Sequence, residues 1–238
     1  MNEELEKLVE DSLNLLGKAL NEAITCNDQS DYRTAFICRH ARSIYQLGQD
    51  TIFLLEASRL DSCPIIVRAM MESLFKLVAA VKKPEAAIQI FISEIDEEIA
   101  WMKAQTDFDI APTIEQLSGF VEKLRAEHNV TSKKKWNTFE CADAAGLGQS
   151  HYRGEYFVFS KHVHAMTSGI LLREGKVGVG HVLQSILFIV PYAAASLAQV
   201  VKTNSPQGHV DEAVRLWKVF MKLADDDVFG KMDRVKIE

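Results

Sequence analysis

The sequence predicts an all-α protein: a single multi-helix bundle of about eight or nine helices around a buried, apolar helix near the C-terminal end. Three observations predict it. Apolar residues recur at the helical period of about 3.6 almost throughout. No run alternates apolar and polar residues as a half-buried strand does. The connections are short and break at clusters such as "CNDQSD", "RLDSCP" and "TNSPQG". With 238 residues, 47% of them hydrophobic, the chain is long enough to bury a sizeable core. It shows no internal repeat and no long linker, so residues 1–238 read as one domain.

The elements follow in order. A first helix covers about residues 3 to 24, with Leu5, Val9, Leu13, Leu16, Leu20 and Ile24 on one side. A second covers about 31 to 59. A third, about 63 to 82, has Pro64 in its first turn and Asp61 or Ser62 as its cap. "KKPEAA" opens a fourth, reaching about residue 106. "DFDIAP" leads into a fifth, where Thr113 and Gln116 have capping-box spacing. The sixth covers about 133 to 145 and is ended by Gly146; the seventh covers about 150 to 172. The eighth covers about 178 to 202 and the ninth about 207 to 224, and the tail "FGKMDRVKIE" is expected to be extended or frayed. Within the eighth, "VLQSILFIVPYAAASLAQVV" is long enough to cross a bilayer. Gln184, Ser185, Ser196, Gln199 and the central Pro191, with no tight positive flank, favour the centre of a bundle, so no membrane is expected.

The formal net charge of −6 argues against an electrostatic grip on nucleic acid, and no DNA-binding patch is evident. Cys26, Cys38, Cys63 and Cys141 lack C-x-x-C spacing, and three of them lie in apolar helical patterns. Free thiols and an acidic, amphipathic start, "MNEELEKLVED", point to a cytoplasmic protein.

Two helices carry polar residues where their pattern is apolar. On a wheel of about 100° per residue, Arg153, Tyr156, Ser160, His164 and Thr167 of "YRGEYFVFSKHVHAMT" form one stripe bracketed by Phe157, Tyr152, Phe159 and Val163. That stripe is expected to face inward, with Glu155, Lys161 and His162 opposite and solvated. In "PIIVRAMMESLFKLVAAV", Arg68 and Glu72 sit one turn apart on a flank shared with Ile65, Phe75 and Ala79. Burying such a pair costs several kcal/mol per ion unless other groups bond to it. Tyr156, Ser160 and His164 are suitable donors and acceptors. His40 lies on an apolar face with Phe36, Ile37, Ile44, Leu47 and Leu54, a position that suits a core histidine as well as a functional one.

The arrangement Arg68-x-x-x-Glu72 followed downstream by Tyr156-x-x-x-Ser160-x-x-x-His164 resembles the family named domain of unknown function 5677. The resemblance runs through "RHARSIYQLGQDTIFLLEASRL", "PIIVRAMMES", "KKKWNTFECADAAG" and "YRGEYFVFSKHVHA", about residues 33 to 168. It implies an all-α fold and points to Arg68, Glu72, Trp136, Tyr156, Ser160 and His164. It implies no activity.

Several chemistries stay open. A pocket with Arg68, Arg153, Tyr156, His164 and His40 suits a small or nucleotide-like anionic ligand, with Arg68 supplying a bidentate contact. As an enzyme, Arg68, Glu72, Tyr156, Ser160 and His164 are the catalytic candidates. The leading enzyme reading is metal-independent cleavage of RNA, as in the HEPN group of toxin–antitoxin and phage-defence nucleases, where an arginine and a histidine handle phosphate charge and proton transfer. Arg33 and His40 have that group's spacing, and Arg68 or Arg153 with His164 would serve the same chemistry. A serine nucleophile from Ser160 and His164 lacks a strand–turn–helix elbow. No histidine follows a glutamate by three residues and there is no H-E-x-x-H, so no metal and no cofactor are expected. Alternatively the polar network only fixes helix packing and the protein is an interaction module, for which an oligomer would be natural.

Overall fold

The computed structural model describes residues 3–26, 31–105, 110–131, 135–160, 178–200, 204–226 and 228. Among the described residues every regular element is helical and there is no strand. The helices are α1 (Glu3–Cys26), α2 (Tyr32–Glu56), α3 (Cys63–Lys82), α4 (Pro84–Lys103), α5 (Ala111–Glu127) and α6 (Thr138–Ala144). A π-helix (Gly148–Tyr156) follows, continuing as α-helix to residue 160, and then come α7 (Val179–Val200) and α8 (Pro206–Asp225). One turn of 3-10 helix, Leu60–Ser62, leads into α3.

Local chemistry explains most boundaries. Asp31 caps α2, its carboxylate accepting from the backbone N–H groups of Arg33 and Thr34. Prolines stand in the first turn of α3, α4, α5 and α8, where a missing N–H costs nothing. The expected capping box at Thr113 does not form, because α5 already starts at Ala111. The capping box belongs to α6 instead, where Asn137 and Glu140 bond reciprocally to each other's backbone. Gly146, at φ +74, ends α6 in the left-handed conformation that glycine adopts without strain.

The apolar faces of α1, α2, α3 and α7 form the main core, with Phe75, Met70, Met71, Leu74, Leu16 and Ile44 fully buried. Helix α7 is long and apolar enough to cross a membrane by length and composition, and it is mostly buried inside the protein. A smaller cluster of Ile92, Ile95, Ile99, Met102, Val121 and Leu124 joins α4 to α5. Cys38, Cys63 and Cys141 are buried and Cys26 is exposed, all as free thiols. Burial pushes Cys63 up to about 11 and Cys141 up to about 12, so these thiols stay protonated.

Candidate functional site

Arg68, Glu72 and Tyr156 meet. The Arg68 Nε–H donates to Glu72 Oε1 at 3.1 Å and to the Tyr156 hydroxyl at 3.3 Å, and that hydroxyl donates to the same Glu72 oxygen at 2.7 Å. The Arg68 guanidinium also sits over the Tyr156 ring, 5.5 Å from its centroid. Tyr156 is held by a block of aromatic rings: it stacks on Tyr152, whose centroid is 4.9 Å away, and meets Phe75 edge-on at 5.9 Å. Phe139 of α6 closes the block against Tyr152. The phenol therefore reaches α3 from a preorganised position.

The trio lies on a flank and not in the interior as the sequence suggested. Arg68 and Glu72 keep 26% and 30% of their side-chain surface, and Ile65 on the same stripe is exposed. That stripe continues one turn on to Lys76, so it is the outward edge of an otherwise buried helix. Burial pulls the Arg68 guanidinium down, but the hydrogen bond it donates to Tyr156 and the charge of Glu72 outweigh it and leave the group above its ordinary value. Burial and the adjacent Glu72 raise the Tyr156 phenol. Both groups keep their protons at neutral pH.

Other predicted residues go elsewhere. Arg153 is exposed, contrary to the inward stripe, and Glu155 is partly buried rather than solvated: its Oε2 is buried with no hydrogen-bond partner among the described residues, and burial raises its carboxyl. Both corrections have one cause. Gly148–Tyr156 is a π-helix, wider per turn than the α-helix assumed for the wheel, so side chains drift from their α positions. The Ser160 hydroxyl oxygen is buried close enough to Tyr156 to lower its phenol slightly, but it is in full hydrogen-bond geometry with no group among the described residues. His164, Thr167, Lys161 and His162 lie outside the described residues.

His40 is buried, edge-on to Phe36 at 4.5 Å, and desolvation pushes it down to about 3 despite the nearby Glu94. It is a neutral imidazole, with Nε2 3.3 Å from an Arg39 terminal nitrogen. Arg33 does not join it. Its guanidinium donates to the carbonyls of Ala80 and Val81 at the end of α3, at 3.1 and 2.9 Å. The Arg33–His40 spacing thus assembles no common site. Trp136 ties the chain before α6 to α4, through its ring N–H on Gln89 and its backbone N–H on Ser93.

Sequence reasoning missed two networks. Glu94 of α4 accepts from Lys76 at 2.7 Å and from Arg39, with His40 Nε2 4.0 Å away. Burial pushes Glu94 up, but Lys76 and Arg39 outweigh it and hold the carboxyl below its ordinary value. Extending the Arg68–Glu72 stripe by one turn would have found Lys76. Elsewhere in the bundle, between α1 and α8, buried His209 meets Glu22 at 2.9 Å, and Glu22 also takes the Asn204 backbone N–H. No local pattern announced that pair, which joins residues 187 apart.

A cavity of about 360 Å³ lies away from this cluster, between α1 and α2, lined by Glu6, Val9, Glu10, Leu13, Tyr45 and Glu56 among others.

Residues 34–175, more than half of the chain, match a family of unknown function (DUF5677), and the chain belongs to that family. No curated protein and no solved structure matches it.

Proposed function

We propose that this helical protein binds a small anionic ligand, of the phosphate or nucleotide-like class, at the outer edge of Arg68. One observation carries the reading. Arg68 uses only its Nε–H on Glu72 and Tyr156, while its two terminal nitrogens make no hydrogen bond to any described residue and the side chain is a quarter exposed. The inner bonds fix the guanidinium plane, and the outer pair of N–H groups forms the fork that takes two oxygens of one anion. Ser160, half-buried beside Tyr156, supplies a hydroxyl for such a ligand after a rotamer change. His164 and Arg153 remain candidates for the rest of the site, and the family assignment is compatible with any of these roles.

Calorimetric titration with inorganic phosphate and with adenosine monophosphate tests this. Wild type should bind at least one of them, and Arg68→Ala should lose most of the affinity while keeping its melting temperature within about 3 °C. Binding that survives in Arg68→Ala would move the site elsewhere. RNA cleavage by purified protein in EDTA, lost in His164→Ala, would instead select the nuclease reading. Absence of both, with an unfolded Arg68→Ala, would leave the trio a packing device.

A further inference from the structure

We infer that α8 carries the contact surface for a second copy of this chain, laid antiparallel against its own α8. The helix is apolar on two neighbouring stripes. Ala213, Leu216, Phe220 and Leu223 are buried and belong to the main core. One residue further on, about 100° round the helix, Val210, Val214, Trp217 and Met221 form a second stripe. Val214, Trp217 and Met221 are exposed and Val210 is half-buried, so the fold uses one stripe and leaves most of the other to solvent. Their alternation of four-residue and three-residue steps is the spacing with which one helix seats on another. Trp217 is held in place there. Its ring meets Phe188 of α7 edge-on at 5.7 Å and Phe220 at 5.1 Å, and Phe188 stacks on Tyr192. A fixed, part-exposed tryptophan in an apolar stripe is the kind of anchor on which interfaces concentrate their binding energy.

The charges beside the stripe identify what covers it. On the flank away from the core, Asp211 stands towards the start of α8 and Lys218 and Lys222 towards its end, all exposed. The two lysines make no ion pair among the described residues, and the Asp211 carboxylate meets only Gln207 of its own helix, whose amide donates to it at 2.7 Å. Two copies of α8 placed antiparallel, with Val214 on Trp217 and Val210 on Met221, bring Asp211 of each level with Lys218 and Lys222 of the other. A twofold axis repeats the pairing, so the surface is complementary to itself. Asp225, on the same flank, falls level with Pro206 and meets no like charge. A parallel pair would set Asp211 on Asp211 and Lys218 on Lys218, and those like charges oppose it.

Sedimentation velocity on the full chain tests the inference. Wild type should be a dimer at about 100 μM and dissociate on dilution. Val214→Glu/Met221→Glu should be monomeric at the same concentration with its helix content unchanged, since both positions are exposed. Lys218→Glu should weaken the dimer about tenfold, and adding Asp211→Lys should restore it, because the exchange reverses both members of each pair. A wild type that stays monomeric at about 100 μM would overturn the inference and leave the face to a different protein. A dimer that survives the two glutamates would overturn it as well. Unchanged association in Lys218→Glu, or a charge exchange that fails to restore it, would overturn the antiparallel pairing.

Discussion

Two ends of one stripe on α3 treat charge in different ways. At Lys76, two cations converge on one carboxylate: Glu94 takes both Lys76 and Arg39, and the buried His40 beside it stays neutral. One turn and more away, Glu72 takes the inner donors of Arg68 and Tyr156, and the terminal nitrogens of the partly exposed guanidinium make no hydrogen bond to any described residue. The first network is closed and holds α2, α3 and α4 together. The second is anchored on one side and open on the other. The difference teaches that a polar cluster on an apolar helix is read by which donors it leaves over, more than by how many residues it gathers.

The closed end should govern acid stability, which gives the largest expected effect. His40 has its proton affinity pushed down to about 3 from an ordinary 6.5. Below pH 6.5 the unfolded chain takes a proton that the folded chain refuses, so stability falls as pH drops from 6.5 towards 3, by up to about 1.4 kcal/mol per unit. His40→Gln should flatten that slope in thermal unfolding between pH 4 and 7; an unchanged slope would mean that His40 is not the buried titrating group.

Removing the shared carboxylate comes next. Glu94→Gln leaves Lys76 and Arg39 without their counter-charge and should cost about 1–2 kcal/mol in urea unfolding at pH 7. Because Glu94 is held below its ordinary 4.5, its contribution is present above that pH and is lost as pH falls through the lowered value. The variant and wild type should therefore converge in strong acid. At the open end, Tyr156→Phe removes one hydrogen-bonding hydroxyl from a packed ring and should cost about 1 kcal/mol. Arg68→Lys should change stability least, within about 0.5 kcal/mol, since the side chain is partly solvated. A cost at Arg68 as large as that at Glu94 would erase the distinction between the two ends.

Much of this was legible in the sequence. Helix α3 runs over Cys63–Lys82 as its apolar period predicts, and the Pro64 start and the Gly146 stop are where turn chemistry puts them. The pairing of Arg68 and Glu72 with Tyr156 followed from matching two misplaced polar patterns. The exposed Arg153 and half-buried Glu155 were not legible, because a wheel presupposes α-geometry and nothing in "GQSHYRGEY" declares a π-turn. The Glu94 and Glu22 networks join distant helices, and contacts of that kind depend on which helix faces meet, which periodicity alone does not say. The shallow position of the trio was missed for a related reason. A helix apolar around most of its circumference still keeps a narrow outward edge, and Ile65 on that edge looked like core.

The central claim is that the inner edge of Arg68 is occupied and its outer edge free for an anion. Nuclear magnetic resonance of the arginine side-chain nitrogens, with inorganic phosphate added to the full chain, tests it most directly. The account predicts that the terminal N–H signals of Arg68 shift and slow their exchange while its Nε–H signal stays put. Unmoved terminal signals at saturating phosphate, or an Nε–H signal that moves as the Glu72 and Tyr156 bonds break, would contradict it.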